Sequence, residues 1–111
     1  MDRLLAPPAS RNCLDLNELR SLGVDRDRLP VGLGEARRRA DGVLAEAFDR
    51  RTAIRELVQA RAWVIEQLVL SAWHALVGSD TGMELVAVGG FGRGELHPHS
   101  DADLLILCPE D

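Results

Sequence analysis

The chain has 111 residues, 46% of them apolar, and a formal charge of −5. That is enough for one small domain, and too little positive charge for a general nucleic-acid surface, which relies on clustered cations to displace counterions. All thirteen basic residues are arginine, which excludes a Walker A phosphate loop, since that loop ends in Gly-Lys-Ser/Thr.

Residues 1–34 read as a loosely ordered lead-in. Its start, MDRLLAPPASRN, lacks the apolar core of a signal peptide, and no segment of the chain approaches a membrane span, so a cytoplasmic protein without membrane partners is expected. APPAS and RLPVGLG punctuate the lead-in, and LDLNELRSLG predicts one short helix ended by Gly23. Cys13 and Cys108 have neither metal-ligand spacing nor a secreted framework and read as reduced thiols.

Residues 35–78 form a helical segment, either two helices or one kinked helix. Ala36, Ala40, Val43, Leu44, Ala47 and Phe48 recur at three- and four-residue intervals, the signature of one buried stripe. DRRT interrupts it, with Thr52 placed to cap a second helix. There Ile54, Leu57, Val58, Ile65, Leu68, Val69, Ala72 and Leu76 continue the spacing to Gly78, the expected terminator. Trp63 and Trp73 lie beside the stripe and read as core anchors rather than a stacking platform.

Residues 79–111 change character. GSDTG is a turn, MELVAVGG and ADLLILC are apolar runs of the kind buried on both faces of a sheet, and between them GGFGRGEL allows a helical turn that Pro98 stops. Asp101 and Asp103, read as strand residues, share a face about 6.6 Å apart, with Ala102 pointing the other way. Two ionised carboxylates about 5 Å apart repel by roughly 3 kcal/mol at an effective dielectric near 20, a cost that a cation offsets. Hard divalent ions such as magnesium prefer carboxylate oxygens. Glycines upstream permit close approach of backbone amides to phosphate oxygens, and Arg93 supplies a forked donor.

Three other readings fit less well. A dinucleotide fingerprint requires glycine where Glu95 stands and a long helix where Pro98 cuts it short. His97, His99 and Asp101 resemble part of a metallo-β-lactamase-type ligand motif, but Ala102 occupies the place of its last histidine; a polar turn around Pro98 is the plainer reading. A helical interaction module explains residues 35–78 and leaves the glycine turn and carboxylates unexplained.

The string LVAVGGFGRGELHPHSDADLLIL is similar to the signature of the DNA polymerase β-like nucleotidyltransferase superfamily, an apolar residue, two small residues, a spacer and Asp-x-Asp. With QARAWVIEQLVLSAW before it, it most resembles the start of the catalytic domain in the bacterial bifunctional uridylyltransferase/uridylyl-removing enzymes. The resemblance covers about residues 36–108; Phe91 stands where those enzymes often have tyrosine, and Ala102 where they have a larger aliphatic residue. It implies an α+β fold, N-terminal helices followed by the start of a mixed sheet that stops after its second strand. It also implies transfer of UMP from UTP to a tyrosine of the PII nitrogen-regulatory protein, releasing pyrophosphate. Gly89 and Gly90 would bring amides to the triphosphate, Arg93 and Ser100 would assist, and Asp101 and Asp103 would hold Mg2+ as the catalytic carboxylates; Glu95 is left structural. The family's third carboxylate, its HD-type phosphohydrolase and its glutamine-sensing ACT domains have no counterpart in these residues. The expectation is therefore an N-terminal fragment, marginally stable and inactive alone. The alternatives are a non-catalytic truncated product or helical docking piece that retains the motif, or another polymerase β-like nucleotidyltransferase.

Overall fold

The computed structural model describes residues 5–78 and 80–110. Its organising element is a long helix, α3 (Ile54–Leu76), which has neighbours on several sides. Antiparallel to it in the chain's path runs α2 (Leu29–Asp49), and a shorter helix, α1 (Leu16–Leu22), and a 3-10 turn at Pro8–Ser10 complete the helical unit. The core gathers Leu19, Leu22, Leu29, Ala36, Ala40, Leu44, Ala60, Trp63, Val64 and Leu68. Small residues on the facing surfaces, Ala40 and Ala60, are wholly inaccessible to solvent. Their lack of bulk lets the α2 and α3 backbones approach and lets Leu44 and Val64 fill the remaining space.

Residues 5–34, expected as a loose lead-in, are thus largely structural. Asp15 caps α1, its carboxylate accepting from the N–H groups of Asn17 and Glu18. Leu19 and Leu22 then enter the core. The helix expected from Glu35 begins earlier, at Leu29, because Pro30 stands in its first turn, where a missing N–H costs nothing. Cys13 is buried and Cys108 exposed, both as free thiols. Burial pushes the Cys13 thiol above its ordinary value, with the charge of Arg61 working against that shift.

Two helices, not one kinked helix, occupy residues 29–76, and the joint differs from expectation. Thr52 does not cap α3; Ala53 holds the N-cap position with no side-chain bond. The Thr52 N–H instead closes α2 by donating to the Ala47 carbonyl. Phe48 and Ile54, read as stripe residues, are 58% and 56% exposed, since they face the open tip of the helix pair. Asp41 cross-links the pair lower down, accepting from Arg61 at 2.7 Å. At the other end Gly78 closes α3, its N–H reaching back to the Trp73 carbonyl. The expected turn at residues 78–82 includes Ser79, which lies outside the described residues.

The sheet follows. β1 (Glu84–Ala87) pairs antiparallel with β2 (Leu104–Leu107), Ala87 opposite Leu104 and Glu84 opposite Leu107. The architecture is α+β, as the sequence indicates. The strands are not buried on both faces, however: only Leu85 of β1 is buried, and all four β2 residues are exposed. With two strands described, no second layer covers β2 and its edge is open.

Replacing Leu44 (3% exposed) with alanine is expected to cost about 2–4 kcal/mol. Phe48→Ala should stay within about 0.5 kcal/mol. Urea unfolding followed by circular dichroism compares the two, and equal losses would place Phe48 in the core after all.

Candidate functional site

β1 runs directly into the glycine turn. Val88 is extended, and a single helical turn, α4 (Gly89–Gly92), starts at the next residue. Gly89 has φ +62, a left-handed conformation that side chains disfavour. The turn closes on itself through the Glu95 N–H, which donates to the Gly90 carbonyl at 2.9 Å. The first-turn amides of so short a helix have no carbonyl within it to bond. Gly92 is fixed by contact: a Cβ there would lie 2.7 Å from the Ala87 carbonyl oxygen, so the turn packs against its own strand.

Two anchors hold this turn to the helical unit. Phe91 and Leu96 bury against Ala62 of α3, with Ile65, Ala87 and Ala102 around them. The Leu96 N–H donates to the Val58 carbonyl of α3 at 3.1 Å. Neither link is visible in the sequence, because both depend on which face of α3 meets the turn.

Asp101 and Asp103 precede β2 rather than lying on it, since the strand begins at Leu104. The ladder nevertheless gains a further bond there, from the Val88 N–H to the Asp103 carbonyl at 3.1 Å. Ala102 turns inward to the Phe91 cluster, and both flanking aspartates are exposed. The Asp103 carboxylate reaches back to the glycine turn: a Cβ on Gly89 would sit 3.4 Å from its Oδ2. Arg93 folds toward the next glycine, with an Nη atom 3.8 Å from where a Gly90 Cβ would be. Among the described residues, Asp101, Asp103 and Arg93 have no ion-pair partner.

Ser100 is exposed and is placed by its backbone, whose N–H donates to the His97 carbonyl across Pro98 and His99. That bond makes the His-Pro-His segment a tight turn, with His99 at φ +64. Among the described residues, no three His, Cys, Asp or Glu side chains converge on one point. Two exposed carboxylates still form a donor set that fits a hard divalent ion, because magnesium is commonly held by one or two carboxylates with substrate phosphates completing its shell. A residue that sequence reading left out is Gln59, which lines a cavity with Arg93. Its place on α3, distant in sequence from the turn, gave no signal.

The glycine turn, Arg93 and the carboxylate pair all fall within residues 67–111, which match the nucleotidyltransferase domain family. Over 74 residues, 66% of this chain, the sequence is 51% identical to the bifunctional uridylyltransferase/uridylyl-removing enzyme of Pseudomonas putida strain F1. It is 49% identical over 78 residues to the enzyme of that name in Pseudomonas syringae pv. syringae strain B728a, and 50% identical over 80 residues to that of Stutzerimonas stutzeri strain A1501, 69% of this chain in each case. The chain is a homologue of the bifunctional uridylyltransferase/uridylyl-removing enzymes. It spans 8–9% of the length of these curated relatives. No solved structure matches it.

Gly89→Ala should cost about 1–2 kcal/mol through the left-handed conformation alone and press on the Asp103 carboxylate. Amide hydrogen exchange at Val88, whose N–H bonds to the Asp103 carbonyl, is expected to quicken. Unchanged protection there would show that Gly89 tolerates a side chain.

Proposed function

We propose that residues 85–108 are the nucleotide- and metal-binding start of a catalytic domain whose parent enzyme transfers UMP from UTP to a tyrosine of a PII-type signalling protein. The observation that carries this reading is the inward Ala102 between two exposed aspartates, with the Asp103 carboxylate set against the Gly89 turn. Similarity to relatives named as uridylyltransferases supports the choice of UTP. The free thiols agree with a cytoplasmic setting.

In this reading, Asp101 and Asp103 would hold magnesium. When bound, the ion draws off charge that develops on the phosphate oxygens during transfer. Gly89 and Gly90 present backbone amides to the triphosphate, and Arg93 adds its guanidinium fork. Ser100 offers a hydroxyl beside the carboxylates. The tyrosine oxygen attacks the α-phosphorus in line as the bond to the β-phosphate bridging oxygen breaks. Pyrophosphate leaves with that electron pair, and the hydroxyl proton passes to solvent. The chain's own contribution is positioning: a rigid turn fixes the phosphates while the adjoining backbone fixes the carboxylates.

The test is a titration of the chain with manganese and UTP, Mn2+ serving as a spectroscopic substitute. Wild type should show paramagnetic broadening centred on Gly89, Gly90 and Asp103. Asp101→Asn and Asp103→Asn are each expected to weaken metal-nucleotide binding by roughly tenfold or more, about 1.4 kcal/mol per factor of ten. Broadening elsewhere, or full affinity in both variants, would remove the site from these residues. With labelled UTP and PII protein the 111-residue chain should bind without appreciable transfer, because it offers two carboxylates where the family resemblance implies three. Clear labelling of PII would show that the pair suffices.

A further inference from the structure

Beside the glycine turn lies a second concavity. A cavity of about 350 Å3 opens between residues 5–8 on one wall and Gln59, Arg93 and Gly94 on the other. Residues 5–8 read Leu-Ala-Pro-Pro, and two of the four lack an N–H, so that wall offers few donors and is stiff. Pro8 opens the 3-10 turn, which packs on α3 and holds the segment in place. The opposite wall carries the half-buried amide of Gln59 and the exposed guanidinium of Arg93. Among the described residues neither Gln59 nor Arg93 has a side-chain hydrogen-bond or ion-pair partner. Both stand on fixed backbone, Gln59 on α3 next to Val58, whose carbonyl receives the Leu96 N–H, and Arg93 at the end of α4.

We propose that Gln59 and Arg93 form a two-donor subsite for the terminal phosphates of the nucleotide, and hence for the pyrophosphate that leaves. The proposal rests on the nucleotide reading above and assigns a phosphate-binding role to Gln59 and to the wall at residues 5–8. Its basis is continuity. Arg93 folds back to Gly90 while the Asp103 carboxylate meets Gly89, so an extended triphosphate lying along these two glycines leads from the carboxylates into the cavity. A guanidinium provides charge and a fork, and a primary amide provides two further N–H donors for a neighbouring oxygen.

Side-chain NMR signals test this directly, because the chain has two glutamines, Gln59 and Gln67. Inorganic pyrophosphate and UTP, each with magnesium, should shift the Gln59 side-chain amide and the Arg93 Nε–H, and UMP should leave Gln59 unmoved. Gln59→Leu, a change of similar volume, is expected to weaken pyrophosphate binding about tenfold and to leave UMP binding unchanged. Gln59→Asn, which keeps the amide but shortens its reach, should fall between. If pyrophosphate shifts Arg93 alone, or if Gln59→Leu retains wild-type pyrophosphate affinity, the subsite is overturned. Because the wild-type shifts are read without any variant, poor folding of Gln59→Leu does not decide the matter. Failure of UTP and UMP to perturb Gly89, Gly90 and Asp103 would instead count against the nucleotide reading, a result distinct from silence at Gln59 alone.

Discussion

The seam between α3 and the glycine turn carries the rest of the site. Phe91 and Leu96 fill the space over Ala62, and the Leu96 N–H reaches the Val58 carbonyl one turn earlier on the helix. A hydrogen bond to the carbonyl of a well-packed helix and an apolar plug over a residue without bulk make a stiff joint from few atoms. Without that seam the turn would hang from a two-stranded ribbon, and such ribbons are marginal in water on their own. The helical unit therefore acts as the foundation of the glycine turn, which explains why α3 is buried on more faces than a two-helix hairpin requires.

How much of this was readable beforehand depended on whether a feature is local. The end of α3 at Gly78, the short helix after Asp15 and the two apolar strands follow from nearby residues, and the structure contains each. Periodicity identified the stripe on α2 through Ala36, Ala40, Leu44 and Ala47, but carried it one position too far, to Phe48. A helical pattern shows which face is apolar and says nothing about where the neighbouring helix ends. For the same reason Ile54 was misplaced at the opposite side of the tip. On α3 the reading missed Glu66, which is 2% exposed, because a carboxylate on a helix is ordinarily assigned to solvent.

The site shows a similar division. Alternation around Ala102 was legible in the sequence, and it survives even though the aspartates fall short of β2, because Ala102 packs inward all the same. The contact of Asp103 with the turn at Gly89 requires the two strands to be in register, which local pattern does not give. Arginine illustrates the limit of residue type as a guide. Arg61 and Arg39 are committed to Asp41 and Glu18 and brace the helices, whereas Arg93 is left for something else. Thirteen identical side chains in the sequence acquire different roles only through their neighbours.

The packing of Gly92 against the Ala87 carbonyl has a genetic corollary. Every amino acid reachable from a glycine codon by a single base change carries a Cβ, and the smallest, alanine, already meets that carbonyl at 2.7 Å. No mild first step exists from which a lineage could explore other residues at this position. Change there would have to come with a shift in the path of β1.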